Sequence, residues 1–217
     1  MTLTAQLQEF RRQFRQNAAE DIQQTMGAAT AALKASGILD GVISEGQSSP
    51  DFELPNAQGK PMRLSDKLKA GPVVVSFYRG QWCPYCNLEL RALQAVLPDI
   101  QARGAQLIAI SPQTPDNSLS TAEKNDLTFD VLSDMGNVVA RQYGLVFVLP
   151  EELRPIYTSF GIDVPAHNGD DTFELPIPAT YVIGQDGAIA LAFAEADYVT
   201  RLEPTAILKA LDQLSPH

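Results

Sequence analysis

The chain contains, at residues 77–86, the stretch Phe77-Tyr78-Arg79-Gly80-Gln81-Trp82-Cys83-Pro84-Tyr85-Cys86, which holds both of its cysteines. The apolar run before it, 72–77, predicts a buried strand. The residues after it, 87–96, carry apolar side chains at helical spacing and predict a helix. A Cys-x-x-Cys pair between a strand and a helix is typical of a redox-active site.

Cys83 falls at the start of the predicted helix, where free N–H groups and the helix dipole favour a thiolate. We therefore expect Cys83 to be the nucleophile and the more acidic and more exposed thiol, with Cys86 as the resolving thiol. If Cys83 attacks a peroxide, a sulfenic acid forms and Cys86 condenses with it. If it attacks a protein disulfide, Cys86 displaces the mixed disulfide. Both routes end in the same oxidised pair, so both stay open.

The neighbours of the pair are candidate substrate-binding residues. Arg79 supports the thiolate or is a solvated loop charge, and Trp82 and Tyr85 form an apolar rim for a substrate or simply pack over the loop. A structural disulfide is disfavoured because so short a loop removes little entropy from the unfolded chain. A zinc site would need two more ligands, and the chain's histidines are His167 and the terminal His217.

The composition and net charge of the chain limit the classes of function that it can have. The chain has 217 residues, 45% of them hydrophobic and 19% charged, which is typical of a globular protein. Its formal net charge of −10 argues against nucleic acid as a partner. Without a basic, apolar leader or an apolar stretch of about 18 residues, we expect a cytoplasmic protein with no membrane partner. The absence of a glycine-rich phosphate loop or ligand cluster predicts no metal, flavin or nucleotide cofactor.

The first 39 residues predict one long amphipathic helix, interrupted if anywhere near Gly27. Its apolar residues recur at steps of three and four: Leu3, Leu7, Phe10, Phe14, Ala18, Ile22, Met26, Ala29 and Leu33. This stripe either packs on its own domain or serves as a dimerisation arm that makes the protein a homodimer. We expect residues 1–45 to be a helical extension outside the core, followed by a domain at 46–217.

The remainder alternates between strands and helices. A small hairpin is predicted at 52–64, and a second one turns at Asp186-Gly187. Further strands are predicted at 73–77, 106–111, 131–133, 180–183 and 188–193, and helices at 83–103, 116–126, 136–143 and 204–214. This order favours parallel βαβ units followed by a hairpin and a closing helix, which is an α/β thioredoxin fold.

Over residues 46–217 the chain resembles the alkyl hydroperoxide reductase/thiol-specific antioxidant family, the peroxiredoxins and their thioredoxin-like relatives. Three motifs carry the resemblance: Pro50-Asp51-Phe52-Glu53-Leu54, the 77–86 stretch, and Pro178-Ala179-Thr180-Tyr181-Val182-Ile183 with Asp186-Gly187. The resemblance implies an antioxidant peroxidase that is recycled by a thioredoxin-like or small-thiol reductant. A protein disulfide reductase and a non-catalytic interaction protein that uses the N-terminal helix are the alternatives.

The motifs depart from the family at two positions. Peroxiredoxins carry a Thr or Ser three residues before the peroxidatic cysteine and an Arg from a distant strand, which together polarise the peroxide. Here Gly80 stands three residues before Cys83, and the resemblance places Pro178 where the Arg is expected. Thioredoxin-type reductases have a cis-proline at that place, so we predict a cis Ile177–Pro178 bond that shapes a substrate groove. No sequence argument places Arg201 at the site.

Overall fold

The structure, a computed structural model, describes residues 1–214. Its strands are β1 (Glu53–Pro55), β2 (Pro61–Arg63), β3 (Val73–Phe77), β4 (Gln106–Ser111), β5 (Asp130–Ser133), β6 (Val146–Val148), β7 (Glu174–Pro176), β8 (Ala179–Ile183) and β9 (Ile189–Ala194). Its helices are α1 (Leu3–Asn17), α2 (Glu20–Ala35), α3 (Leu64–Leu68), α4 (Pro84–Ala95), α5 (Leu97–Ala102), α6 (Pro115–Lys124), α7 (Val138–Gln142), α8 (Arg154–Ser159), α9 (Val164–Asn168) and α10 (Pro204–Leu214). Short 3-10 turns lie at Ile38–Gly41, Met135–Asn137 and Glu151–Leu153.

A five-stranded sheet of order β5-β4-β3-β8-β9 forms the centre of the molecule. Strand β3 runs parallel to β4 and antiparallel to β8, while β8 and β9 form the predicted antiparallel hairpin. Every residue of β3 is buried, because helices and loops cover both faces of the sheet at this position. The 77–86 stretch therefore begins at the carboxyl end of β3, in the middle of the core.

Two hydrophobic clusters cover the two faces of this sheet. One contains Val74 together with α4, α10 and both cysteines. The other contains Phe77, Tyr143 and Tyr181, whose rings contact one another with centroids 4.9–6.1 Å apart. The cysteine pair is consequently part of the packed core.

The N-terminal region forms two helices instead of the predicted single one, and the break lies at Ala18–Ala19, so the expected break near Gly27 is wrong. Both alanines have extended backbone, with ψ of 145° and 147°. The side chain of Gln23 donates to the carbonyl of Ala18 at 2.8 Å and to that of Arg15 at 2.9 Å. These bonds satisfy carbonyls that the end of α1 leaves unpaired.

Helix α1 packs on its own domain. Leu3 and Leu7 are 3% and 4% exposed and belong to the same hydrophobic cluster as the two cysteines. The backbone N–H of Thr4 donates to Glu203, next to α10, at 2.6 Å. The structure thus favours the alternative in which the stripe packs on its own domain. The division at residue 45, with 1–45 as an extension, remains a prediction.

The predicted helix at 83–103 is two helices, α4 and α5. Pro98 lies in the first turn of α5, and proline has no N–H to continue the hydrogen bonding of α4. The long segment between α7 and β8 contains α8, α9 and a small sheet of β6 and β7, which lies beside the site. Within residues 1–214 no helix combines the length and apolarity needed to cross a bilayer.

Candidate active site

A glycine lets the loop after β3 fold tightly. Gly80 has φ of 154°, and a Cβ there would lie 2.4 Å from Trp82 Nε1 and 3.0 Å from Gln113 Oε1. Only glycine therefore leaves room for the indole beside Cys83. The buried Gln113 side chain accepts from the backbone N–H of Gln81 at 2.9 Å and anchors the loop to the neighbouring β4–α6 connection.

Cys83 is the N-cap residue of α4, as its predicted place at the helix start requires. Its sulfur accepts a hydrogen bond from the backbone N–H of Cys86 at 3.4 Å. Both thiols are free and buried, with Cys83 2% exposed and Cys86 fully enclosed. Cys83 is thus the less buried of the two, as expected, although by a small margin.

A buried guanidinium lies against the second cysteine. Arg201 donates from Nη2 to the sulfur of Cys86 at 3.4 Å and from Nε to Glu89 at 2.6 Å. All three side chains are almost completely buried, and Thr180 lies 3.5 Å from the other carboxylate oxygen of Glu89. One cation is therefore shared by a thiol and a carboxylate, one helical turn apart on α4.

These contacts determine which thiol ionises. Burial opposes the ionisation of Cys86, but the hydrogen bond from Cys83 and the charge of Arg201 outweigh it and lower the pKa of Cys86 to about 5. Burial raises the pKa of Cys83 well above its ordinary value, and Cys86 raises it further. The prediction that Cys83 is the more acidic thiol is therefore wrong. The helix N-terminus favours a Cys83 thiolate, but Arg201 is a full charge in direct contact with Cys86.

The pKa of Glu89 depends on the same neighbouring charges. Burial raises the pKa of Glu89 to about 7, against the attraction of Arg201, and the neighbouring Cys86 raises it as well. The carboxyl and the thiol compete for one guanidinium, so a negative charge on one of them disfavours a negative charge on the other.

Arg79 is buried at 3% exposure, so it is not a solvated loop charge. Its guanidinium donates from Nη2 to the hydroxyl of Tyr157. The guanidinium carbon lies 5.0 Å from the ring centroid of Trp82 and 4.9 Å from that of Tyr198, a distance typical of cation–π contacts. Its Nε has no partner among the described residues.

Trp82 and Tyr85 line a cavity, which we call the thiol cavity. It has a volume of about 490 Å³, and Cys83 forms part of its wall. The lining residues are Phe10, Phe14, Asn17, Ala18, Met26, Arg79, Trp82, Cys83, Pro84, Tyr85, Tyr157, Phe160, Ile162 and Tyr198. Tyr85 also contacts Phe10 edge-on at 5.1 Å and Tyr198 at 5.6 Å. The geometry thus brings together Arg79, Trp82, Tyr85 and Cys83, as the sequence predicts.

Pro178 does not line the thiol cavity. None of the described peptide bonds is cis, so the predicted cis Ile177–Pro178 bond is wrong. Pro178 lines a separate, smaller cavity of about 110 Å³, which Arg79 and Tyr198 also line. His167 hydrogen-bonds with Asn117 and is absent from both cavity walls, while His217 lies outside the described residues.

The sequence analysis did not identify Glu89 and Arg201 as residues of the site. Glu89 carried a usable signal, because it shares one face of α4 with Cys86, Leu90 and Leu93, and a carboxylate in a buried stripe requires a partner. Arg201 carried no such signal, since it is 115 residues from Cys86. Within residues 1–214 no group of three or more His, Cys, Asp or Glu side chains is arranged to hold a metal ion.

Comparison with known proteins identifies the family. Residues 46–192 match the AhpC/TSA family model. The chain belongs to the AhpC/TSA family. It is 30% identical over 151 residues to the chloroplastic peroxiredoxin Q of Sedum lineare, which covers 70% of this chain and 69% of the relative. Over the same length it is 30% identical to the chloroplastic peroxiredoxin Q of Populus jackii, and there the match spans 60% of the relative.

Solved structures support the same fold. The peroxidoxin BcpB of Mycobacterium tuberculosis superposes with a TM-score of 0.63 at 24% identity, covering 80% of this chain and 99% of that one. The peroxiredoxin 6 of Arenicola marina superposes with a TM-score of 0.62 at 20% identity, covering 79% and 73%. The predicted thioredoxin fold and the predicted peroxiredoxin-like, thiol-peroxidase class are therefore confirmed.

Proposed function

We propose that this AhpC/TSA-family protein reduces peroxides and in doing so oxidises the Cys83–Cys86 pair to an intramolecular disulfide. The observation that carries the proposal is the pair itself: two buried thiols at the start of α4, with the backbone N–H of Cys86 donating to the sulfur of Cys83 and Arg201 donating to the sulfur of Cys86. A thiolate is the nucleophile that attacks a peroxide, and a second thiol within reach prevents overoxidation.

The resting pair holds one proton and one negative charge. Cys83 keeps the proton and Cys86 the charge, because Arg201 contacts Cys86. Transfer of that proton to Cys86 leaves Cys83 as the thiolate that faces the thiol cavity. Cys86 is thus both the base that activates Cys83 and the thiol that later resolves it.

Cys83 then attacks the terminal oxygen of the peroxide. The O–O bond breaks, an S–O bond forms, and the departing alkoxide or hydroxide takes up a proton to become an alcohol or water. Cys83 is oxidised to a sulfenic acid, and Cys86 displaces its hydroxyl as water to form the disulfide. Overall, one thiol, one thiolate, one peroxide and one proton give one disulfide, one alcohol and one water.

One observation favours the opposite order of attack. Arg201 contacts Cys86, and peroxiredoxins hold an Arg near the peroxidatic cysteine. Counted from Cys86, the position three residues earlier, where the family has Thr or Ser, is occupied by Cys83. In that order Cys86 attacks and Cys83 resolves, while the overall reaction is unchanged. Single cysteine variants separate the two orders.

Burial of the pair supports a small oxidant over a protein disulfide. Cys83 is 2% exposed beneath α1, Trp82 and Tyr85, and a mixed disulfide requires the sulfur to meet a bulky partner directly. A peroxide reaches the same sulfur through the thiol cavity. We expect the return to the dithiol to use a small thiol or a thioredoxin-like protein after local opening.

Stopped-flow oxidation of the reduced protein tests the proposal. Hydrogen peroxide is compared with oxidised glutathione and with a disulfide-bonded protein, and the fluorescence of Trp82, the chain's single tryptophan, reports the state of the neighbouring pair. Peroxide is expected to oxidise the pair fastest, and the double variant Cys83→Ser/Cys86→Ser is the unreactive control. Oxidation by disulfides alone would establish a disulfide reductase, and oxidation by neither would leave a non-catalytic interaction protein.

We further propose that the protein works in a cytoplasm, where thiol reductants return the pair to its reduced form. Cell fractionation tests this location.

A homodimer through the N-terminal helix also stays a prediction. Since Leu3 and Leu7 are buried on their own domain, such a dimer would have to use other residues of α1 and α2. Light scattering of the purified chain measures the mass.

A further inference from the structure

The buried guanidinium of Arg79 has donors that no described residue accepts from. Its Nη2 donates to the hydroxyl of Tyr157, whereas within residues 1–214 its Nε and Nη1 form no hydrogen bond. The charged thiol pair attracts the guanidinium from nearby but forms no hydrogen bond with its side chain. A buried cation is normally paired with an anion, because removing a charge from water is costly. The donors of Arg79 are therefore free to bind an anion from outside the chain.

Arg79 lines a second cavity besides the thiol cavity. This is the smaller cavity that Pro178 lines, and we call it the α2 cavity because α2 forms one of its walls. Most of its surface is apolar and comes from α2, from β6 with the residues that follow it, and from Ile177 and Pro178. Val148, which is 52% exposed, also lines it, so a small molecule can reach the cavity from the surface.

The polar groups of the α2 cavity suit one kind of ligand. The residues that line it, all within the described part of the chain, include Arg79 but no Asp or Glu. The hydroxyl of Tyr198 also has no hydrogen-bond partner within residues 1–214, and its ring centroid lies 4.9 Å from the guanidinium carbon of Arg79. A guanidinium beside a free hydroxyl can donate to both oxygens of one carboxylate.

The volume of the α2 cavity limits the rest of the ligand. An apolar cavity of about 150 Å³ in another protein admits benzene, so a cavity of about 110 Å³ holds a chain of a few carbons. Such a chain gains free energy when it leaves water for the apolar wall. A long fatty acid exceeds this space, and a bare inorganic anion leaves the wall without a contact.

From this arrangement we propose that the α2 cavity binds a small monocarboxylate with a short apolar chain, its carboxylate held by Arg79 and Tyr198. The proposal goes beyond the peroxidase function, because this ligand exchanges no atoms or electrons and Cys83 does not line the cavity. Since Arg79 also lines the thiol cavity, the bound carboxylate and the thiolate compete for the field of one cation.

Butyrate is the probe, and isothermal titration calorimetry of the reduced full-length protein in chloride-free buffer measures its binding. Butyramide has nearly the same shape without the charge and is expected to bind at least tenfold more weakly. Arg79→Met keeps a long apolar side chain and is expected to raise the dissociation constant of butyrate by about tenfold or more, the order expected for a lost hydrogen bond to a charged group.

A filling variant separates binding in the cavity from binding at the surface. Ala29 of α2 is 9% exposed and lines the α2 cavity, so Ala29→Leu should weaken butyrate binding. Ala28→Leu makes the same change at the neighbouring exposed position, which does not line the cavity, and should bind like wild type. Circular dichroism and unfolding midpoints identify any variant that fails to fold.

The double variant Cys83→Ser/Cys86→Ser keeps the α2 cavity but has no thiolate, so it should bind butyrate at least as tightly as wild type. Because this variant cannot react with peroxide, the result does not depend on the peroxidase function. Absence of butyrate binding in wild type, equal affinity for butyrate and butyramide or for butyrate and chloride, or unchanged binding in both Arg79→Met and Ala29→Leu would each overturn the proposed site.

Discussion

The Nη2 atom of Arg201 donates a hydrogen bond to the sulfur of Cys86 across 3.4 Å. Neither group is exposed to solvent, so the interaction is little screened by water or salt. It places a permanent positive charge beside the deeper thiol of the pair. This contact favours the negative charge of the reduced pair on Cys86, one turn inside the helix whose N-cap is Cys83.

Removing this charge should raise the pKa of Cys86. Because Arg201 also holds Glu89, the test uses the double variant Glu89→Gln/Arg201→Met, which leaves no buried carboxylate without a partner. The pKa of Cys86 is expected to rise from about 5 toward its ordinary value of 9.0, as followed by the ultraviolet absorbance of the thiolate against pH. Glu89→Gln alone keeps the guanidinium and is the control. An unchanged titration in the double variant would show that Arg201 does not stabilise the thiolate.

Cys86→Ser should trap an oxidised adduct on Cys83. Without the second thiol the sulfenic acid cannot condense to a disulfide, so mass spectrometry after mild peroxide treatment should find one added oxygen on Cys83. Cys83→Ser is the matched variant and should lack this adduct. An added oxygen on Cys86 in Cys83→Ser, with Cys83 unmodified in Cys86→Ser, would establish the opposite order of attack.

The pH dependence of stability should reflect the competition for Arg201. The pKa of Cys86 is lowered in the folded state, so its stabilising contribution is present above pH 9.0 and is lost as the pH falls through about 5. The pKa of Glu89 is raised, so its contribution is present below pH 4.5 and is lost as the pH rises through about 7. Between about pH 5 and 7 the two contributions oppose each other.

Glu89→Gln should therefore make the free energy of unfolding rise more steeply with pH over this range, because the contribution of Cys86 then acts alone. Urea titrations of the reduced protein at several pH values measure the slope. Glu123→Gln, on the exposed side of α6, is the control and should keep the wild-type slope. A slope that is equal in Glu89→Gln and wild type would contradict the raised pKa of Glu89.

Leu7→Ala should destabilise the whole domain. Leu7 is 4% exposed and packs in the cluster that contains both cysteines, so truncation leaves a cavity at a cost of about 2–5 kcal/mol. The free energy of unfolding from urea titration measures the loss. Gln8→Ala, at the neighbouring exposed position, should have little effect. Equal stability of both variants would mean that α1 is a detachable extension.

The parts of the fold that depend on local sequence were predictable. The apolar run of β3, the helix after Cys83 and the Asp186-Gly187 turn each carry their signal within a few residues. The site was predictable to the same extent, because Arg79, Trp82 and Tyr85 neighbour Cys83 in the chain. The break at Ala18 was not, since alanine favours helix and the break depends on a side chain five residues away.

The electrostatics of the site depend on contacts between residues that are far apart in the chain, so the sequence analysis did not predict which thiol is stabilised as a thiolate. The helix start at Cys83 suggested a thiolate there, whereas the strongest charge comes from Arg201, which reaches Cys86 only after β9 and the following loop are in place. The predicted cis Ile177–Pro178 bond failed for the same reason. The motif resemblance indicates that Pro178 occupies the position where the family has an Arg. It does not show which side chain lies against the cysteines in the folded protein.

The position of Arg79 has a consequence for the oxidised protein. Its guanidinium is enclosed by Trp82, Tyr157 and Tyr198, and within residues 1–214 no carboxylate forms an ion pair with it. In the reduced protein the nearby thiolate offsets this charge, but a disulfide is neutral. Oxidation therefore leaves a cation enclosed by aromatic rings with no ion-pair partner in residues 1–214, and this electrostatic cost makes the disulfide a better electron acceptor. The same imbalance attracts the next reductant, because a thiol attacks as an anion.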